Sequence, residues 1–279
     1  MKKYLAVFDG FKLSKSTLDY AIQITRATDA HLVGVFLDES VYRSYDVYKV
    51  IMESGDVTRT MNDLDARDKQ KRDESTLYFQ QACEKAGIRF NIHRDKKIAE
   101  QELKHESIFA DLVIISKTET FSLLKEKAPT RFVRNLLTVT QCPVLVVPSR
   151  YKPIDKITLL YDGRPSSVYA AKMFSYLLED LKDLPMEIFT VKDDNTVSMH
   201  LPDNKLMREF TKRHYPHATY SVTRGNAEEQ INGYFRNQPG NELVVLGAYR
   251  RGEISRMFKT SMADILMRDL DQPLFIAHH

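Results

Sequence analysis

The residues best placed for chemistry sit at the ends of apolar runs. Asp9-Gly10 closes the run Tyr4-Leu5-Ala6-Val7-Phe8, and Asp162-Gly163 closes Ile157-Thr158-Leu159-Leu160-Tyr161. A carboxylate in that position either reaches a ligand or caps the following turn by accepting from backbone N–H groups; the sequence leaves both roles open. A second group follows Glu242-Leu243-Val244-Val245-Leu246: Gly247, then Arg250-Arg251, then Thr260-Ser261. Glycine there either lets the backbone approach an anion or serves a tight turn. Ser261 suits the start of a helix, whose N–H groups point at phosphate-like anions. The Arg250 guanidinium either donates a bidentate fork to such an anion or fills its space.

Other chemistries have little support. Neither a Gly-x-Ser-x-Gly elbow nor a Walker A sequence occurs. His31, His93, His105, His200, His214 and His217 are scattered without a visible nucleophile–base pairing. Asp193-Asp194 reads as a solvated loop before it reads as a Mg²⁺ site. Cys83 and Cys142 belong to no Cys-x-x-Cys or Cys/His cluster and read as reduced thiols, which fits a cytoplasmic protein. The formal net charge of +3 gives no reason to expect nucleic acid or a membrane surface. The basic run Lys69-Gln70-Lys71-Arg72 lies between Asp65, Asp68, Asp73 and Glu74 and reads as a solvated helix face. The first apolar run is too short for a signal-peptide core, and no run approaches the roughly 18 residues of a membrane span.

The elements that must position these residues come twice. Each half opens on an apolar run ending in Asp-Gly. Each then carries an acid followed by a second apolar run, Asp111-Leu112-Val113-Ile114-Ile115 or Glu242 to Leu246. Each closes on Pro and a short strand, Pro143-Val144-Leu145-Val146-Val147 or Pro273-Leu274-Phe275-Ile276-Ala277. Such a repeat sets the architecture. Between the markers, short apolar strands alternate with helical periodicity, which implies βαβ crossovers and parallel sheets covered on both faces. The expected fold class is α/β, with two tandem open parallel-sheet, Rossmann-like domains at residues 1–149 and 156–279. A proline-bearing linker at about 148–155 joins them. The opening Asp residues stand 153 positions apart and the closing prolines 130. The first half therefore carries about twenty extra residues between its second and third strands. Tyr42, Tyr45 and Tyr48 make this insertion either a contact surface or a local flap. In the first half a long charged helix is expected over 64–86, ended by Gly87; in the second half a helix is expected over 167–179.

Taken together, the order of elements, the Asp9 and Asp162 strand ends, the turn Gly225-Asn226-Ala227-Glu228-Glu229-Gln230-Ile231, the Glu242–Gly247 run and the closing Pro-plus-strand resemble a universal stress protein, here in tandem over essentially the whole chain. The resemblance implies an adenine nucleotide alpha hydrolase-like fold and a non-catalytic stress-response role. Nucleotide-binding members carry Gly-x2-Gly-x9-Gly-(Ser/Thr) after the fourth strand. Here Gly247 and Ser261 keep the first and last positions, while Arg250 and Thr260 replace two glycines. In the first half Ser116, Glu119 and Pro129-Thr130 stand there instead, so that site reads as degenerate. The resemblance thus implies that ATP or another adenine nucleotide, if bound, lies in the second half, on Tyr161, Asp162, Val191, Gly247, Tyr249, Arg250, Thr260, Ser261 and Met262. A slow ATP hydrolase and a protein-interaction module without nucleotide are the alternatives. The closing strands, Val144–Val147 and Leu274–Ala277, would be exposed edges. Pairing them antiparallel makes an internal pseudo-dimer; a homodimer and an unidentified protein partner are further possibilities of assembly.

Overall fold

The structure is a computed structural model describing residues 1–37, 43–95, 99–122, 124–237, 240–247 and 261–277. The first half runs β1 (Lys3–Phe8), α1 (Lys15–Ala27), β2 (His31–Leu37), α2 (Val47–Glu53), α3 (Val57–Ala86), β3 (Arg89–Asp95), α4 (Ala99–Ile108), β4 (Leu112–Ser116), α5 (Arg131–Val139), β5 (Val144–Val147). The second runs β6 (Lys156–Leu160), α6 (Pro165–Leu177), β7 (Met186–Lys192), α7 (Asn204–His214), β8 (Thr219–Arg224), α8 (Ala227–Arg236), β9 (Glu242–Gly247), α9 (Met262–Asp269), β10 (Leu274–Ala277).

The ten strands among the described residues form one sheet in the order β3-β2-β1-β4-β5-β10-β9-β6-β7-β8. Within residues 3–147 and within residues 156–277 the paired strands are parallel. The sheet departs from two separate parallel sheets at one seam, where β10 runs antiparallel to β5 with Phe275 opposite Leu145. The pairing gives each closing strand a neighbour on its second side, which is the usual remedy for an apolar edge. Lys117 reinforces the seam: its Nζ donates to the Leu270 carbonyl at 2.7 Å and the Asp271 carboxylate at 2.8 Å.

Successive residues of the central strands enter opposite cores. Tyr4, Ala6 and Phe8 pack in one apolar cluster, Leu5 and Val7 in another. That is the period of a strand covered on both faces, and it explains the unbroken apolar runs. Gly34 in β2 has a steric purpose. A Cβ there would lie 2.6 Å from the Phe79 ring, so its absence lets α3 dock. Phe79 then meets Phe8, Phe36 and Phe90 edge-on.

Several helix ends differ from the sequence reading, each for a local reason. α3 starts at Val57, seven residues before the expected Leu64, because Asp56 accepts from the Arg59 N–H as its cap. It ends where expected, with Gly87 at φ 66°. α6 begins at Pro165, two residues before Ser167, because Pro suits the first helical position. α2 was not foreseen; Asp46 caps it by accepting from the Tyr48 and Lys49 N–H groups. At 30 residues α3 is roughly 45 Å long. Only Asp68, Phe79 and Cys83 along it are buried, so much of its length lies off the core.

Candidate functional site

Open α/β sheets bind ligands beyond the carboxyl ends of their strands. In the second half this edge is built by β6, β7, β9 and the first turns of α6, α8 and α9. Leu160, Tyr161, Phe189, Val191, Ile231, Leu246 and Met262 line a cleft there with a volume of 160 Å³, and Asp162, Ser167, Ala227 and Gly247 complete its wall. Apolar cavities of about 150 Å³ accept a benzene-sized guest. The cleft is thus sized for one planar ring, with polar groups at its rim.

Each residue singled out from sequence has a definite place. Tyr161 extends the β6 ladder through its N–H, which donates to the Phe189 carbonyl at 2.9 Å. Burial and the nearby Asp203 and Asp162 carboxylates raise its phenol above the ordinary value. Asp162 acts as a turn cap: Oδ1 accepts from the Arg164 N–H at 2.9 Å and from the Ser167 hydroxyl at 2.7 Å. Asp9 does the same for the Phe11 N–H at 2.8 Å, so this role is common to both halves. Oδ2 of Asp162 lies 3.6 Å from Arg164 Nε, on a side chain that is 54% exposed. Gly247 is the last residue of β9, where a Cβ would come within 2.2 Å of the Ser166 carbonyl oxygen. Here it allows close backbone approach to α6; a turn after it would lie outside the described residues.

Ser261 caps α9: its hydroxyl accepts from the Asp264 N–H at 3.2 Å while Asp264 Oδ2 accepts from the Ser261 N–H at 3.3 Å. The next residue, Met262, reaches the cleft. Tyr249, Arg250 and Thr260 lie outside the described residues, as does Tyr42. Sequence reasoning passed over Leu160, Ser167, Phe189, Ala227, Ile231 and Leu246 as parts of the cleft. Phe189 was legible as the i−2 neighbour of Val191 on one strand face, and Ala227 and Ile231 as one face of the helix opened by Asn226.

The first-half edge is different. A crevice of 510 Å³ lies between the loops after β1 and β4, with Lys12, Lys15, Ser116, Glu119 and Lys125 on its wall. Burial, then the Asp9 carboxylate, pushes the Glu119 carboxyl up to about 7, against hydrogen bonds from the Thr120 and Phe121 N–H groups. Among the described residues no group of three His, Cys, Asp or Glu side chains is placed to hold a metal ion. None of their helices is long and apolar enough to cross a membrane.

No protein-family model and no curated protein matches the sequence. Solved structures do match. A universal stress protein from Archaeoglobus fulgidus DSM 4304 superposes with a TM-score of 0.68 at 15% identity, over 99% of this chain and 98% of that one. A putative universal stress protein from Pseudomonas aeruginosa UCBPP-PA14 gives 0.61 at 14%, over 100% and 93%. A functionally unknown protein from Pseudomonas aeruginosa PAO1 gives 0.61 at 13%, over 100% and 92%. At these identities the likeness establishes the fold, an α/β sheet with flanking helices as in universal stress proteins, along the length of the chain.

Proposed function

We propose that this chain is a tandem universal-stress-protein-like module, divided at residues 1–149 and 156–279, that works in the cytoplasm and binds an adenine nucleotide in its second half without turning it over. One observation carries the reading. Tyr161, Asp162, Val191, Gly247 and Met262 were named from scattered stretches of sequence, and they surround a single ring-sized cleft. The base enters between Val191, Ile231 and Met262, and its polar substituents leave past Asp162 and Gly247. Asp162 works here chiefly by shaping the turn, with one oxygen already taken by the Arg164 and Ser167 donors.

The test is isothermal titration with ATP, ADP and AMP, with and without Mg²⁺, alongside mass spectrometry of any ligand that co-purifies. We expect an affinity of about 100 μM or better, about −5.5 kcal/mol, abolished by Ala227→Trp. Ala227 is exposed at the start of α8, so a bulky ring there obstructs the cleft without entering the core. The substitution also adds the chain's sole tryptophan. No heat and no co-purified nucleotide would overturn the reading, and phosphate release in the same samples would convert it to a slow hydrolase.

The insertion favours a second role, as a surface for a protein partner. α2 buries none of its residues, and Tyr48 and Met52 are 72% and 67% exposed. Tyr45 is instead tied back to α3 by its hydroxyl, which donates to Asp65 at 2.7 Å. Partner binding through this surface should survive Ala227→Trp and fail in Tyr48→Ser/Met52→Ser.

A further inference from the structure

The two halves can be matched position by position through their strand registers, and the match separates their pockets. Val7 pairs with Val35 as Leu160 pairs with Phe189. Leu37 therefore corresponds to Val191. Ser116 and Gly247 each end the strand beside the closing strand, opposite Val147 and Ala277. Ala99 and Leu103 stand in α4 as Ala227 and Ile231 stand in α8.

The second-half residues line an open cleft, with Ala227 exposed and Val191 and Gly247 half-buried. Their first-half counterparts are buried, Ala99 at 4% exposed, Leu37 at 1% and Ser116 at 3%, whereas Leu103 and Ile231 are buried alike. The loop after β4 sends an aromatic side chain into the same apolar cluster. Phe121 is 7% exposed within the same apolar cluster as Val7, Val35, Leu37, Ala99, Leu103 and Ile115. Its ring packs against that of Phe132 with centroids 4.6 Å apart. Its backbone sits at φ 47°, a left-handed conformation that a bulky residue rarely adopts, and one held there by the surrounding packing.

Sequence spacing identifies the partner positions. Ser116 to Thr130 and Gly247 to Ser261 both span fourteen positions, from strand end to helix cap. Phe121 then corresponds to Gly252, which lies outside the described residues, and Phe132 to Ala263. By sequence, the two aromatic residues of the first half thus correspond to a glycine and an alanine.

We infer that Phe121 is a built-in occupant of the first-half pocket: it fills the counterpart of the second-half cleft, so that a latent site for a planar aromatic guest remains beneath it. The first half then keeps its polar crevice beside Lys12 and Glu119 without an open apolar cleft, whatever ligand the second half takes. Cutting Phe121 back to Ala should open the latent site.

Indole is a suitable probe, being planar, apolar and of the right class for a dry cavity. In equilibrium dialysis of the full-length chain, Phe121→Ala should bind one more equivalent of indole than the unaltered protein. In methyl NMR the new site should perturb Val7, Leu37 and Leu103 signals in the variant alone. A folded Phe121→Ala chain with unchanged stoichiometry and unperturbed Leu37 and Leu103 would overturn the inference. Because this truncation removes a buried ring, Phe121→Leu provides a milder opening, read in crystals under xenon. Xenon bound beside the shortened side chain supports the proposal, and its absence refutes it. Neither readout involves a nucleotide, so failure of the nucleotide reading and failure of this one are separable.

Discussion

Gly247 decides between two accounts of a glycine at a binding edge: one in which it makes room for a ligand, and one in which it makes room for the protein itself. A Cβ at this position would lie 2.2 Å from the Ser166 carbonyl oxygen, 2.3 Å from its carbon and 2.7 Å from the Ser167 nitrogen. All three are backbone atoms, so no side chain can rotate away. Relief requires the first turn of α6 to retreat by roughly 1 Å, the distance to ordinary van der Waals contact. That turn is anchored by the Ser167 hydroxyl on Asp162, and farther along the helix by Ala170, Ala171 and Phe174, all at most 2% exposed. Overpacking a fixed core costs about 1–3 kcal/mol, and Gly247→Ala belongs at the upper end. At about 2–4 °C per kcal/mol for a chain of this size, its melting temperature should fall by about 6–12 °C in scanning calorimetry. Gly233→Ala is the control. Gly233 lies inside α8 with no atom within 4 Å of an added Cβ, so the change should stabilise by about 0.5–1 kcal/mol through helix propensity. A Gly247→Ala protein that melts within about 1 °C of the parent would refute the packing account. It would return the glycine to the ligand.

Two further predictions concern buried charge. Lys156 holds a cluster at the opposite end of β6: its Nζ lies 2.7 Å from Glu187 and 3.3 Å from Glu242, and it donates to the Tyr234 hydroxyl at 2.6 Å. Lys156→Met leaves two carboxylates facing each other, Glu242 being 1% exposed, and should cost about 3 kcal/mol in urea unfolding. Burial pushes the Glu187 carboxyl upward, but hydrogen bonds from Lys156, Ser221 and Tyr234 outweigh it and hold the group below its usual range. Its contribution is therefore complete above about pH 4.5 and lost as pH falls through the lowered value, and Lys156→Met should flatten that acid-side loss.

Glu119 has the opposite sign. Between its ordinary value of 4.5 and about 7 the folded chain keeps a proton that the unfolded chain has released. Stability should fall as pH rises through that window, by about 1.4 kcal/mol per pH unit and roughly 3 kcal/mol in all. Urea midpoints that decline from pH 5 to 8 in the parent and less steeply in Glu119→Gln would agree; identical profiles would not.

The parts of the fold legible in sequence are those where a single local rule governs. β4 and β9 are apolar runs with nothing to compete, and Gly87 is a helix stop because only a left-handed residue fits there. Legibility weakened where the residue types permit two structures. α2 depends on an Asp46 cap and on pairing with α3 more than on its own periodicity. The start of α6 was hidden because Pro165 reads as a breaker until its position in the first turn is known. At the candidate site, the Asp-Gly signals pointed to the carboxyl edge of the strands, where the cleft beside Asp162 lies. The division of labour there was not legible, because whether Asp162 faces a ligand or its own loop depends on where Ser167 comes to rest. Phe121 was invisible for a different reason. It sits in a stretch that differs from a glycine pattern, and what replaced the glycines matters only once the walls of the pocket are known.

The antiparallel seam between β5 and β10 has a consequence for how changes combine. Because strand direction reverses there, the carboxyl ends of the first five strands and of the last five lie at opposite edges of the one sheet. The pocket that Phe121 fills and the cleft beside Val191 therefore open at opposite edges, yet their walls belong to one apolar cluster, and Arg134 of α5 lies 3.7 Å from Asp264 of α9. Perturbations at the two should be coupled through that common core, with a coupling term of about 0.5 kcal/mol or more in a double-mutant cycle. One edge of such a molecule can lose its cavity to an internal ring while the other stays open to a guest, but each such change is felt in a core that both edges share.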